Sequence, residues 1–296
     1  MSKETSTTVC TYPICAALDK ADDIIGRGRK WGATNALQGK FLRVFESTRN
    51  EARMLKDIES IASRSAGEIN KFLANRGFQI ALDPFEKPTD FGTASVLDVL
   101  VKWLEKGTAT RLIGLRTSKE YPAVLLKGGV SFKRWPGHQN PIAVVETKTG
   151  ELVYLTVHDR LDGFELLDRV NELRAVRATL NVHEFKGLYF PQVDLDQMVD
   201  IGWLKQLWTH GADGHDYEVA QALQQTKFRI NEEGARAQSA VAIGVLRCTS
   251  LVPQLPPLVI NRPFLVWIER PGLKEPLFAG WICEDDWKRP KDINER

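Results

Sequence analysis

Two histidines and two aspartates lie close together in the stretch HGADGHD, residues 210–216. Imidazole and carboxylate groups bind zinc and also act as general acids and bases, so this stretch is a candidate for metal binding or proton transfer. Its two glycines, and its position between a predicted helix and a predicted strand, favour a polar turn, because a metal site requires fixed geometry. We expect no metal and no cofactor.

Cys248 carries a potential nucleophile, but no neighbouring residue in the sequence supplies the base that it would need. The chain lacks a Walker loop, a dinucleotide-binding glycine pattern and the Gly-x-Ser-x-Gly pattern of hydrolases. The cysteines have neither zinc nor disulfide spacing, at Cys10, Cys15, Cys248 and Cys283. The sequence therefore predicts a protein that is not an enzyme.

The composition is typical of a soluble globular protein, with 296 residues, 43% hydrophobic and 26% charged. A net charge of +2 gives no field that favours nucleic acid or a membrane surface as partner. The N-terminal residues lack the basic start and apolar core of a signal peptide, and no apolar run approaches the ~20 residues of a membrane span. We expect a cytoplasmic monomer with one domain, residues 1–296.

Hydrophobic periodicity and turn residues predict both helices and strands. Helices are predicted at 34–62, 66–75, 162–178 and 199–208, and between Thr93 and Gly107, where the apolar stripe is clearest. Strands are predicted at 123–132, 141–157 (a hairpin), 186–195, 217–231, 258–269 and 276–284. Because strands and helices do not alternate regularly, the fold class is α+β rather than doubly wound α/β.

Between the last predicted strands lies an unusual stretch, INEEGARAQSAVAIGV, at residues 230–245. As a strand it would carry small or apolar side chains on one face, from Ala235 through Ala237 and Ser239 to Ile243, and polar or small ones on the other. No proline interrupts 231–252, so every backbone N–H is free to join a ladder. The stretch has the composition of a segment that can enter a sheet.

The same stretch and several others resemble segments of a known protein family. The segment 227–243 resembles the hinge and proximal reactive loop of the serpins, where a strand ends in Glu-Glu-Gly and small residues follow. Residues 260–282, with Arg-Pro-Phe and Pro-Leu-Phe-x-Gly, resemble the serpin tail. Segments 101–135 and 188–195 resemble weaker serpin motifs in the same order, with Lys127-Gly128-Gly129 where the family has Asn-Ala.

The resemblance implies a trimmed serpin-like fold of several sheets with surrounding helices and an exposed reactive loop. Residues 1–90 form a mainly helical part that matches no serpin motif, and residues 91–296 form the core with the loop at 234–257. The implied function is protease inhibition as a suicide substrate: a protease cleaves the loop, and the loop then inserts into a sheet. The implied partner is a serine protease, with a cysteine protease as the alternative.

The resemblance also implies site residues. The hinge comprises Glu232, Glu233, Gly234, Ala235, Ala237 and Ser239. The reactive bond is expected among Leu246, Arg247, Cys248 and Thr249. Arg247 is the best bait residue, meaning the residue that the protease recognises and after which it cleaves, for a trypsin-like protease.

Other hypotheses fit the same sequence. The segment 230–245 is also compatible with an ordinary strand and turn. A non-inhibitory serpin-like binding protein, whose loop never inserts, is the alternative function. An enzyme that uses the cluster from His210 to Asp216 is the third hypothesis.

Overall fold

The computed structural model describes residues 4–175, 180–236 and 255–290. The α-helices within these residues are Thr11–Lys20 (α1), Asp22–Ile25 (α2), Ala36–Met54 (α3), Ala66–Ala74 (α4) and Gly163–Ala175 (α5). Helices α3 and α4 begin at side-chain caps, because Asn35 accepts from the Gln38 N–H and Ser65 accepts from the Glu68 N–H. None of the helices in the described ranges is long and apolar enough to cross a membrane.

The strands, in chain order, are Thr7–Val9 (β1), Trp31–Gly32 (β2), Ile58–Ser63 (β3), Gly92–Leu97 (β4), Val101–Lys102 (β5), Thr108–Ile113 (β6), Glu120–Leu126 (β7), Val130–Arg134 (β8), Ile142–Glu146 (β9), Leu152–Val157 (β10), Leu180–Asn181 (β11), Leu188–Pro191 (β12), Val193–Val199 (β13), Trp208–His210 (β14), Asp216–Glu218 (β15), Gln224–Ile230 (β16), Gly234–Arg236 (β17), Leu258–Val259 (β18), Phe264–Glu269 (β19) and Phe278–Ile282 (β20).

These strands form several sheets. The largest has seven strands in the order β1-β20-β19-β10-β9-β8-β11. Two four-stranded sheets have the orders β18-β12-β7-β6 and β13-β16-β17-β5. A three-stranded sheet, β15-β14-β2, and the pair β3-β4 complete the set for the described residues.

The largest hydrophobic cluster joins residues from both ends of the chain, including Tyr12, Phe45, Trp103 and Phe264, all of them buried. A second cluster lies where α5 covers the seven-stranded sheet and contains Trp135, Trp267 and Trp281. Segments far apart in sequence therefore share one core, while the division of the chain into domains stays a prediction.

The structure confirms the α+β class and several predicted elements. The predicted helix at 66–75 is α4, the helix at 162–178 corresponds to α5, and the hairpin at 141–157 is β9–β10, in which Val145 pairs with Val153. The C-terminal strand predicted at 276–284 is present as β20. In each of these places the local pattern and the tertiary contacts favour the same element.

The helix predicted between Thr93 and Gly107 was wrong, since this segment forms β4 and β5. Along β4, Ala94 and Val96 are buried in alternation, and all six residues of β4 pair with β3. The helix predicted at 34–62 likewise ends at Met54, because 58–63 is β3. The long-range ladder overrides the helix-like spacing of the apolar residues in both segments.

Five further predictions need correction. The strand at 123–132 is two strands, β7 and β8, because the chain turns at Lys127–Gly129, where Gly129 has a φ of 67°. The strands at 186–195, 217–231 and 258–269 each divide into two strands that lie in different sheets: β12 and β13, β15 and β16, and β18 and β19. The helix at 199–208 is only a 3-10 turn at Gly202–Leu204, followed by β14.

The segment 123–135 also differs from the central strand that the resemblance implied. Strand β7 lies in the β18-β12-β7-β6 sheet, whereas the hinge lies beside β5 in the β13-β16-β17-β5 sheet. The Lys127-Gly128-Gly129 run is therefore outside the hinge sheet.

Candidate functional site

The hinge begins with a tight turn between β16 and β17. The side-chain oxygen of Asn231 accepts from the backbone N–H groups of Glu233, at 2.8 Å, and Gly234, at 3.3 Å. The backbone N–H of Asn231 donates to the carbonyl of Gly234 at 3.0 Å. These bonds reverse the chain after Ile230 and return it alongside the strand that it has just left.

The other side of the turn is held by residues 103–107. The backbone N–H of Trp103 donates to the Glu233 carbonyl at 3.1 Å, and its indole Nε1 donates to the Asn231 carbonyl at 2.9 Å. The N–H of Gly107 donates to the Glu232 carbonyl at 2.7 Å. All three turn carbonyls therefore have a partner, which keeps the turn in one position.

The two glutamate side chains contact different partners. Glu233 accepts from Lys106 Nζ at 2.8 Å, and this hydrogen bond raises the pKa of Lys106. Glu232 accepts from Gln192 Nε2 at 3.0 Å. The Lys106 side chain is 59% exposed, so its ion pair with Glu233 contributes little to stability. The contacts of the two glutamates position the turn and do not form an acid–base site.

Strand β17 lies between two strands that are distant in the sequence. Ala235 pairs with Ile230 of β16 on one side and with Val101 of β5 on the other. Ala235 is fully buried, and a Cβ atom added at Gly234 would lie 2.2 Å from the carbonyl oxygen of Val101. The small side chains at the start of the hinge are therefore required by the width of the gap.

Alongside β16 lies a cavity that we call the strand groove. Its volume is about 1270 Å³, and its walls are β4 and β16. Strand β17 pairs with Arg229 and Ile230 at the end of β16, and the residues of β16 that line the cavity, 224–228, come next in that antiparallel register. The groove therefore lies along β16 beyond the residues that pair with β17.

The strand groove has a floor of apolar groups. Thr226 and Phe228 of β16 lie on the strand face towards α1 and β20, since Phe228 stacks on Phe278 with ring centroids 4.1 Å apart. Ile14 and Leu18 of α1 line the same cavity. A strand in the groove would need small or apolar side chains on this face.

The opposite side of the groove is covered by the crossing segment, which we define as residues 77–86. Gln225 Oε1 accepts from the Gln79 N–H at 2.7 Å, and Gln221 Oε1 accepts from the Asp83 N–H at 2.8 Å. Lys227 Nζ donates to the Gly77 carbonyl at 2.7 Å. Side chains of β16 and of the loop before it therefore fasten the crossing segment over the groove.

The structure describes only part of the predicted site. Glu232, Glu233, Gly234 and Ala235 lie together in the turn and in β17. The remaining predicted site residues lie outside the described ranges: Ala237, Ser239, Leu246, Arg247, Cys248 and Thr249. Their roles stay predictions.

The residues that hold the hinge were not predicted as site residues. Trp103 and Lys106 were assigned to a helix that does not exist, and Gln192 and Asn231 carried no recognisable motif. The one available signal was Asn231 directly before Glu-Glu-Gly, because asparagine side chains often cap turns.

The cluster from His210 to Asp216 is the β14–β15 hairpin. His210 Nδ1 contacts the carboxylate of Asp216 across the pair, and both side chains are more than two-thirds exposed, at 68% and 73%. Asp213 accepts from the His215 N–H at 3.1 Å and from the Tyr217 hydroxyl at 2.7 Å. The described residues hold no group of three or more metal-ligand side chains, and this stretch has the geometry of a polar turn.

Comparison with known proteins finds a family match for part of the chain. A model for the family described as Serpin (serine protease inhibitor) matches residues 170–284. No curated protein sequence matches the chain.

Solved serpin structures share the fold of the whole chain. Serpin48 of the insect Tenebrio molitor, described as a highly specific serpin, has a TM-score of 0.61 and 12% identity, covering 95% of this chain and 92% of its own. The mouse protein-Z dependent protease inhibitor has a TM-score of 0.59 and 13% identity, with coverages of 95% and 91%. Thyroxine-binding globulin in complex with thyroxine has a TM-score of 0.56 and 12% identity, with coverages of 95% and 93%. Residues 170–284 thus match the serpin family model, and the chain as a whole has the serpin fold.

Proposed function

We propose that the protein is a protease inhibitor that acts as a suicide substrate through insertion of its hinge into the β13-β16-β17-β5 sheet. The observation that carries the proposal is the place of β17, which pairs with β16 on one side and β5 on the other at the head of the strand groove. An insertion would therefore extend an existing strand and would not have to start a new one.

The register of β17 supports this proposal. Ile230 pairs with Ala235 and Arg229 pairs with Arg236, so continued pairing would bring Ala237 opposite Phe228 and Gln238 opposite Lys227. Directly paired residues of neighbouring strands lie on the same face of the sheet. Phe228 is buried, whereas Lys227 lies on the side of the crossing segment. Alanine on the floor and glutamine on the other face suit these two environments.

The chemistry proposed for the loop is that of a slow substrate. The nucleophile of the protease attacks the carbonyl carbon of the bait residue, the peptide bond breaks, and the amine of the next residue leaves. An ester joins the bait to a serine protease, or a thioester to a cysteine protease. Insertion of the new strand then carries the attached protease away from its substrate-binding position before water hydrolyses the ester.

The proposed bait is Arg247, followed by Leu246 and Cys248, and the proposed target is a serine protease with a pocket for a cation. The family whose model matches residues 170–284, the serine protease inhibitors, supports this class of target. A cysteine protease remains the alternative target.

The test is incubation of the protein with trypsin-like, subtilisin-like and papain-like proteases, followed by denaturing gel electrophoresis. We expect a covalent band at the summed mass, cleavage within residues 244–253, and a higher melting temperature for the cleaved protein. Cleavage without a covalent band and without a rise in melting temperature would contradict the proposal.

A matched pair of variants separates insertion from simple cleavage. Ala237→Glu would bring a carboxylate to the apolar floor, where an unpaired charge costs several kcal/mol, so we expect roughly a tenfold or greater loss of covalent complex. Gln238→Glu would bring the same charge beside Lys227, and complex formation should stay near that of the wild type. Equal yields of covalent complex from the two variants would contradict the proposed pairing of residues 237–238 with β16.

The second candidate is a non-inhibitory binding protein with the serpin fold. The crossing segment favours it, because three hydrogen-bonded side chains hold residues 77–83 over the groove that the loop would enter. If the cleaved protein shows no gain in thermal stability, this second candidate is the better account.

A further inference from the structure

Two histidines outside the hinge are joined by one arginine. Arg169, on α5, contacts His158 Nε2 through its Nε at 3.3 Å and His138 Nδ1 through its Nη2 at 3.3 Å. The two imidazole rings are stacked, with centroids 5.6 Å apart and an interplanar angle of 12°. We call these three residues the histidine–arginine cluster.

The hydrogen bonds of His138 fix its protonation. The Thr156 hydroxyl donates to the Pro141 carbonyl at 3.0 Å, so its oxygen accepts from His138 Nε2 at 2.8 Å. A proton on Nε2 leaves Nδ1 as the acceptor for Arg169. The network is satisfied only when His138 is neutral.

The same reasoning applies to His158. Its Nδ1 lies 2.8 Å from the backbone carbonyl of Asp159, which can only accept, so Nδ1 carries the proton. Its Nε2 is then the acceptor for Arg169. Each imidazole therefore accepts one guanidinium N–H, and a proton added to either ring would remove an acceptor and place a second cation beside Arg169.

We propose that the histidine–arginine cluster is a pH-sensitive junction, which fastens α5 to the end of β10 and to the loop between β8 and β9 at neutral pH and weakens in mild acid. The junction joins three elements, because Arg169 lies on α5, His158 follows β10, and His138 lies between β8 and β9.

The surroundings of His138 also favour its neutral form. The pKa of His138 is lowered to about 4, mainly by burial and in addition by the neighbouring His158 and Arg169. On α5, Glu172 accepts from Arg169 Nη1 at 3.0 Å.

Two charged residues of the neighbouring segments have partners outside the junction. After β10, Arg160 pairs with Asp162. On β8, the Lys133 ammonium lies over the Trp135 ring. Glu172 is the carboxylate that forms an ion pair with Arg169.

The sign of the effect follows from this shift. Because the pKa of His138 is lower in the folded state, the unfolded chain binds more protons between its ordinary pKa of about 6.5 and the folded value of about 4. Stability from this group is complete above pH 6.5 and is lost as the pH falls towards 4. The loss is expected to favour unfolding on the order of tenfold between pH 7 and pH 5.

Weakening of this junction has a spectroscopic readout. The indole of Trp281 donates to the His158 carbonyl at 2.9 Å, and α5 covers the cluster that contains Trp135 and Trp267. Loosening of α5 would therefore change tryptophan fluorescence.

The first test is NMR titration of the wild-type protein, which needs no variant. We expect the His138 ring signal to titrate near pH 4. A His138 signal that titrates near pH 6.5 would overturn the proposal.

The second test compares urea unfolding at pH 7 and pH 5, followed by tryptophan fluorescence. His138→Gln keeps one donor and one acceptor but does not titrate, so we expect it to lose less stability over this range than the wild type. His183→Gln is the matched control and should follow the wild type. If His138→Gln and the wild type lose the same stability, the junction is not pH-sensitive.

Arg169→Gln tests the bridge itself. The neutral amide can still donate a hydrogen bond but removes the positive charge, so the pKa of His138 should rise. An unchanged titration of His138 in this variant would show that the arginine has no part in the pH response.

Discussion

The indole Nε1 of Trp103 donates to the backbone carbonyl of Asn231 at 2.9 Å, across 128 residues of chain. Trp103 follows β5, and Asn231 begins the turn that leads into β17. The bond therefore ties the turn of the hinge to the strand on the far side of β17. Trp103 is buried and packs edge-on against Phe190, with ring centroids 6.3 Å apart, so the indole has one defined position.

Replacement of Trp103 by phenylalanine should weaken this turn. The ring packing is largely kept, but the Asn231 carbonyl loses its donor, and an unsatisfied buried acceptor costs about 1–3 kcal/mol. Urea unfolding of the intact protein measures the change. Trp208→Phe is the matched control, because Trp208 is 39% exposed. This variant should lose clearly less free energy of unfolding than Trp103→Phe. Equal losses in the two variants would show that the hydrogen bond has no separate role.

Gly234→Ala should separate β17 from β5. The added methyl group would lie 2.2 Å from the Val101 carbonyl oxygen and 3.0 Å from Lys102 Cα, and both are backbone atoms that the strand pairing holds in position. Relief of this overlap is expected to cost about 1–3 kcal/mol in the free energy of unfolding, measured by thermal melting.

The control for this variant is Gly39→Ala. Gly39 lies within α3, and no atom is within 4 Å of an added Cβ, so alanine there should stabilise the protein by up to about 1 kcal/mol. On the proposed function, Gly234→Ala should also reduce covalent complex formation. A neutral or stabilising Gly234→Ala would contradict the close approach of β17 and β5.

Gln225→Leu should free the crossing segment. Gln225 is buried, accepts from the Gln79 N–H and donates to Asp196 at 2.6 Å, so leucine leaves both groups without this partner. Hydrogen exchange of the Gln79 amide should accelerate on the order of tenfold. Because the crossing segment covers the strand groove, the proposed insertion should become faster.

Gln224→Leu provides the comparison for the crossing segment. Gln224 is the neighbour on the opposite face of β16 and donates to the Cys10 carbonyl at 3.2 Å. Exchange of the Gln79 amide should remain at the wild-type rate in this variant. If both variants accelerate that exchange alike, the effect comes from general loosening of β16 and not from the lost hydrogen bond.

Local pattern in the sequence was sufficient for elements whose periodicity agrees with their tertiary contacts. The hairpin β9–β10 has two β-branched runs around Lys148–Gly150, and α4 begins at the Ser65 cap, so both were predicted. Glu232 to Ala235 were predicted as hinge residues because Glu-Glu-Gly precedes small alternating side chains. Each of these features depends only on residues that are close together in the sequence.

The elements that hold the hinge depend on pairing between distant residues. Residues 93–107 have helix-like apolar spacing, yet β3 and β17 supply ladder partners that make strands more favourable there. Since Val101 and Ala235 are 134 residues apart, no local pattern indicates that they pair. For this reason Trp103 and Lys106 were assigned to a helix and were not recognised as contacts of the hinge.

The sequence by itself determined which residues are small enough to enter a sheet and which family the chain resembles, because both are properties of side-chain type and order. Only the tertiary structure decided that β17 already lies between β16 and β5, that the strand groove lies along β16 beyond the residues that pair with β17, and that the crossing segment covers this groove. Those relationships arise from backbone hydrogen bonds and packing between remote segments, which form only when the whole chain is folded.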